Sequence, residues 1–128
     1  MSDITTVRQK GNRIEVCQGT ELKMNIHLEP IDGYTMDAYN FSCVAYCSVS
    51  KKIIAKKSDC KRIDSSNYMM IVDTNLLSTG DLNILVLADI PDSDMSDMIR
   101  TEPIVIDTQI RIIKAPFDLK EVKEYGLS

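Results

Sequence analysis

Asp89, Asp92, Asp94 and Asp97 place four carboxylates within nine positions, and this is the densest set of chemically capable side chains in the chain. Hard cations such as calcium and magnesium take oxygen ligands, so cation binding is the first chemistry to weigh. An EF-hand loop needs acids at alternate positions, a central glycine and a distal glutamate; here Met95 and Met98 interrupt the acids and no glycine occurs between them. Glycoside hydrolysis needs two carboxyls held across a cleft, which a loop tip does not supply. The stretch therefore reads as a solvated hairpin tip, with Arg100 answering part of its negative charge.

The other reactive groups give no more. His27 is the single histidine and falls on the polar face of an alternating segment, with no serine, cysteine or carboxylate constellation that local spacing would bring to it. Cys43 and Cys47 lie in one apolar run, and residues four apart on a strand are about 13 Å from each other, too far to bridge. With Cys17 and Cys60 they form no Cys-x-x-Cys knuckle, so they read as reduced cysteines packing as small apolar side chains. There is no glycine-rich phosphate loop and no activated-nucleophile pattern. The expectation is a non-enzyme without metal or other cofactor.

The elements that would position these groups are legible. Leu82, Ile84, Val86, Ala88 and Ile90 alternate on one face of an extended segment, and Ile104, Ile106, Thr108, Ile110 and Ile112 do so after the acidic loop. Leu22, Met24, Ile26 and Leu28 repeat the pattern against Lys23, Asn25, His27 and Glu29. A short strand is predicted over residues 12–16 with Ile14 and Val16 inward, and a strand over 41–49 buried on both faces or nearly so. Lys51, Lys52, Lys56 and Lys57 flank Ile53, Ile54 and Ala55, as lysines guard an edge strand against aggregation. Residues 59–63 and 68–72 supply two more strands across an Asp64-Ser65-Ser66-Asn67 turn. Asp73 or Thr74 is expected to cap one helical turn that Gly80 ends, with Leu76 and Leu77 plugging the end of the sandwich.

These elements predict an all-β fold: an immunoglobulin-like antiparallel β-sandwich of seven or eight strands over residues 11–114. Residues 1–10 read as an N-terminal arm or edge strand, and 115–128 as a C-terminal arm or short helix. Phe117, Leu119, Val122 and Tyr125 would give that last segment an apolar side, too small to hold an isolated helix without docking. A chain of 128 residues has room for one domain with a self-sufficient core. Fifteen basic against nineteen acidic side chains, with the basic ones scattered, argue against nucleic acid as a partner. No run of about 18 apolar residues and no charged leader with an apolar stretch is seen, so neither a membrane partner nor a cleaved signal is expected.

At Gln18-Gly19-Thr20, Asp32-Gly33, residues 77–82 (Leu-Ser-Thr-Gly-Asp-Leu), Ile90-Pro91-Asp92-Ser93-Asp94, Asp97 and Arg100-Thr101-Glu102 the chain resembles a known family. It is similar to the immunoglobulin-like domain at the N-terminus of phage baseplate upper proteins, and to small virion proteins of phages of gut Bacteroidales, including crAss-like phages. The likeness runs over most of residues 14–113, and the chain is expected to depart from it in having no receptor-binding or fibre portion after the domain. The resemblance implies a virion structural protein, in a tail, baseplate, head-tail ring or capsid, made in the host cytoplasm. Its partners would be other phage virion proteins, with the chain a homo-oligomer or ring component. The expected protein interface is Asp92, Asp94, Met95, Asp97, Met98 and Arg100 on the acidic loop, with Phe117, Leu119, Val122 and Tyr125 on the C-terminal segment. The alternative reading is a non-catalytic carbohydrate- or ligand-binding sandwich, weakened by the absence of tryptophan to stack on sugar rings.

Overall fold

A computed structural model describes residues 13–116. The expected arm at 1–10 and residues 117–128 of the expected arm at 115–128, with Phe117, Leu119, Val122 and Tyr125, lie outside the described residues; Ala115 and Pro116 carry no regular structure. Eight strands occur among the described residues: β1 (Ile14–Cys17), β2 (Glu21–His27), β3 (Asn40–Ser48), β4 (Lys51–Lys56), β5 (Lys61–Asp64), β6 (Asn67–Asp73), β7 (Gly80–Pro91) and β8 (Ile99–Ile113). They form a five-stranded sheet ordered β1-β8-β7-β3-β4 and a three-stranded sheet ordered β2-β6-β5. Strands that pair across sequence-distant neighbours in this order make an immunoglobulin-like sandwich, as the period-two patterns predict. No helix among the described residues is long and apolar enough to cross a membrane.

The core is the meeting of the alternating faces. Ile26 and Leu28 from the β2 segment, Phe41, Cys43 and Ala45 from β3, Tyr68, Met70 and Val72 from β6, and Leu82, Ile84, Val86, Ala88 and Ile90 from β7 are all buried. Phe41 stands edge-on to Tyr68 at 5.1 Å and to Tyr39 at 6.3 Å between ring centroids, the arrangement that ring quadrupoles favour. Lys57 was expected among the edge guards, but its Nζ donates to the carbonyls of Tyr39 (2.8 Å) and Asp37 (3.2 Å) and lies 5.8 Å from the Phe41 and Tyr68 rings. Its long apolar stem lets the charge reach inward to those acceptors while lying along the aromatic cluster.

Several expectations are corrected. The sandwich is not wholly antiparallel, because β1 pairs with β8 in parallel, Ile14 against Ile110 through Cys17 against Ile113. A parallel pair needs a long crossover, and here the whole of β2 to β7 supplies it. Ile14 is 62% exposed at this free edge, and only Val16 of the two predicted inward residues packs on the core. β3 is fully buried on one face only; Ser42, Val44 and Tyr46 on its other face are half-exposed, and Val49 falls outside the strand. Asp59 belongs to a 3₁₀ turn, where its carboxylate accepts from the Lys56 backbone N–H at 2.9 Å, so β5 starts later than predicted.

The turn after β6 is capped as predicted, the Asp73 carboxylate accepting from the Asn75 N–H at 3.0 Å. Of the two leucines that follow, only Leu77 is buried, while Leu76 is 59% exposed. Gly80 does not end this turn; it opens β7 with φ +127°, a backbone that L side chains rarely adopt.

The β7–β8 register contains a device invisible to period counting. Asn83 faces Asp107 while Leu82 faces Ile110, so two extra residues, Thr108 and Gln109, are accommodated in β8, with Gln109 at φ +63°. One extra residue would turn every later side chain to the other face; two restore the parity, which is why Ile110 and Ile112 still point inward. The Thr108 hydroxyl donates to the Leu82 carbonyl at 2.7 Å, satisfying a ladder acceptor at the irregularity.

Candidate functional site

The acidic loop folds into a defined tip at one end of the sandwich. Asp92 and Met98 close it through the Asp92 N–H donating to the Met98 carbonyl at 2.9 Å, and Met98 takes φ +66°. Asp92 also accepts from the Asp94 N–H (3.0 Å), and Asp97 from the Ile99 N–H (3.2 Å), so two of the four aspartates are used as local backbone acceptors. Asp89, the first of the four, lies on β7 and accepts from the Thr101 hydroxyl at 2.9 Å.

Arg100 organises the rest. Its Nη1 donates to Asp92 (2.8 Å), its Nε to Glu102 (2.8 Å) and its Nη2 to Asp32 (2.7 Å). Asp32 belongs to the turn after β2, where the Ile31 and Tyr34 backbones exchange hydrogen bonds and both Asp32 (φ +51°) and Gly33 (φ +83°) are left-handed, the signature of a type I′ turn. The guanidinium therefore ties the β7–β8 tip to the β2–β3 connection across 68 positions of sequence. It fills the place that a cation would take among these carboxylates. These bonds to Asp32, Glu102 and Asp92, in that order of weight, raise the pKa of Arg100, and the Asp94 N–H followed by Arg100 lowers that of Asp92.

Of the sequence-predicted interface, the structure thus brings Asp92, Asp94, Met95, Asp97, Met98 and Arg100 into one tip, with Met95 40% and Met98 58% exposed on its surface. Sequence reasoning missed Asp32 and Glu102 as partners of Arg100. The Asp32-Gly33 turn was visible, but nothing local says which end of the sandwich it shares.

The remaining reactive groups are separate from the tip. His27 has one carboxylate beside it, from its own polar face: Nε2 lies 2.7 Å from Glu29 and Nδ1 3.0 Å from the Asn67 amide oxygen. Residues two apart on a strand share a face, and Glu29 continues the polar face of β2. The bond to Glu29, then that to Asn67, raises the histidine pKa on an open surface with no cleft. All four cysteines are unpaired, and burial pushes the Cys43 thiol up to about 12, so it stays protonated. Among the described residues no group of three or more histidine, cysteine, aspartate or glutamate side chains is arranged to hold a metal ion.

Two further carboxylates are tuned by arginines. Arg62 grips Asp37 through two bonds of 2.8 and 2.9 Å, the Tyr68 hydroxyl adds a third at 2.7 Å, and the Asp37 pKa falls to about 2. Arg13 grips Asp107 at 2.6 and 2.7 Å and, with the Gln109 N–H, also lowers it to about 2. Carboxylates depressed by folding add stability above their unfolded pKa and lose it as pH falls through the folded value, so this contribution is expected to vanish between about pH 4 and pH 2. Denaturation midpoints measured across that range should drop less steeply for Asp37→Asn and for Asp107→Asn than for the parent; an unchanged acid limb in both would refute the assignment.

The architecture and this end of the molecule define an immunoglobulin-like sandwich whose built feature is a surface tip clasped to the Asp32 turn. Comparison with protein-family models, with curated proteins and with solved structures gave no match.

Proposed function

We propose that this chain is a structural protein of a bacteriophage virion, a tail, baseplate, head-tail ring or capsid component that acts by protein–protein assembly. The observation that carries the proposal is the Arg100-clasped tip. It presents Met95 and Met98 among exposed carboxylates on a backbone already held in shape, and apolar anchors inside a polar rim are the anatomy of protein interfaces. Pre-shaping lowers the ordering cost of association. The resemblance of the turn and loop residues to baseplate-type domains supports the same reading and supplies the particle context. In it, the partners are other virion proteins, the location is the virion, and no cofactor takes part.

The test is co-sedimentation of the protein with candidate particle proteins. Capture is expected for the parent, and Arg100→Ala, which frees the tip from the Asp32 turn, should weaken it about tenfold with an unchanged circular dichroism spectrum. No capture of the parent by any particle component would overturn the proposal, and full capture of Arg100→Ala would remove the tip from it.

A further inference from the structure

The two sheets turn different outer faces to solvent. Outside the three-stranded sheet stand Lys23, Asn25 and His27 of β2, with Asn67 and Asp73 of β6, a largely polar surface broken by Met69 and Ile71. Outside the five-stranded sheet the cross-strand register lines up Ile54, Val44, Leu85 and Val105 in one unbroken apolar row over β4, β3, β7 and β8. Ile54 and Val105 at its ends are 61% and 62% exposed. Leu87 and Pro103 extend the apolar surface by one row on one side. Both faces of β7 are thus apolar in mid-strand, although only one meets the core, and a surface of this kind calls for a partner.

Sheet edges are poor candidates for self-association here. β4 carries Lys51, Lys52 and Lys56, β5 is four residues long with Lys61 and Arg62, β2 carries Glu21 and Lys23, and β1 is four residues long with Glu15 exposed. Among the described residues β8 is covered by β1 only over 110–113, and Pro103, which has no N–H to offer, stands in the uncovered stretch. Edges so protected leave the face.

We infer that the outer face of the five-stranded sheet pairs with the same face of a second copy about a two-fold axis running along the strands between β3 and β7. The register supplies the self-complementarity that a two-fold contact demands. Such an axis lays Ile54 of each copy over Val105 of the other and Val44 over Leu85. The adjacent row runs Lys52, Tyr46, Asn83, Asp107, with a cation at one end and a carboxylate at the other, so the same axis sets Lys52 of each copy over Asp107 of its mate. An axis across the strands would instead stack β4 on β4, lysine against lysine. Arg13 already holds Asp107 and also reaches Asp81, itself paired with Arg111, so the carboxylate is fixed and Lys52 joins an existing charge network. Four strands by seven rungs make a face of roughly 450 Å² a side, about 900 Å² in all, at the low end of specific interfaces, so the dimer is a weak one.

The inference concerns self-association alone and does not rest on membership of a virion; a dimer that captures no particle protein would sink the assembly proposal and leave this one standing. Sedimentation velocity of the full chain across a concentration series is expected to show a reversible monomer–dimer equilibrium. Val105→Glu should keep the protein monomeric throughout, whereas Ile71→Glu, on the outer face of the other sheet, should dimerise as the parent does. Carbodiimide coupling of a mixture of ¹⁴N and ¹⁵N protein should give a mixed-isotope peptide joining Lys52 to Asp107. A parent monomeric at every concentration, a Val105→Glu protein that dimerises normally, or a dimer whose mixed-isotope links avoid Lys52 and Asp107 would each overturn the inference.

Discussion

Replacing Phe41 by alanine is expected to lower the free energy of unfolding by about 3–5 kcal/mol, the largest loss available from one side chain here. Phe41 is 1% exposed on β3, between Tyr39 and Tyr68, and its ring also lies beneath the Lys57 ammonium. Truncation removes the apolar transfer term, two edge-to-face ring contacts and a cation–π contact together. The void cannot close easily, because Lys57 is pinned by two carbonyls and Tyr68 by the Asp37 carboxylate. Urea denaturation measures it. A loss under about 1 kcal/mol would mean that the cluster collapses into the space and that the aromatic contacts are not the centre of the core.

Leu77→Ala is expected to cost about 2–5 kcal/mol, and its neighbour Leu76→Ala to stay within about 0.5 kcal/mol of the parent. The two leucines are adjacent and chemically identical, yet Leu77 is 0% and Leu76 59% exposed. The Gln18 side-chain amide donates to the Leu77 carbonyl at 2.7 Å, and the buried Thr74 hydroxyl donates to the Thr20 carbonyl at 2.7 Å and accepts from the Gly19 N–H at 2.8 Å. These bonds fix the chain direction through the turn, and with it the side that Leu77 faces. Paired urea melts decide the matter: equal losses for the two variants would show that the turn can rotate to bury either side chain.

That pair also shows where sequence reading runs out. Period-two patterns found β2, β7 and β8 because half-buried strands leave a repeating trace, and the Asp73 cap and the Asp32-Gly33 turn follow from side-chain and backbone preferences within a few residues. The orientation of a single turn leaves no periodic trace, so Leu76 and Leu77 could not be told apart. The role of Lys57 was hidden for a related reason: its acceptors come from the connection before β3, and only tertiary packing brings them near. At the tip, the local acids and Arg100 were legible, but Asp32 was not, since a turn sequence carries no address. The apolar outer row was overlooked because Val44 sits on a strand that read as buried, while Leu85 and Val105 sit between core residues on strands read for their inward faces; it is their alignment across strands, set by register, that makes a surface of them.

The parallel pairing of β1 with β8 governs how the domain bears mechanical load. The chain enters β1 beside Ile110 and leaves β8 beside Cys17, so tension applied between Arg13 and Lys114 pulls the two strands lengthwise past each other. The rungs from Ile14–Ile110 to Cys17–Ile113, the Gln18 N–H on the Ile113 carbonyl and the Arg13–Asp107 clasp must then yield together in shear, whereas a hairpin pulled from its open end peels one rung at a time. Four short rungs at the rim of the sheet thereby become the clamp that sets the force at which the sandwich gives way.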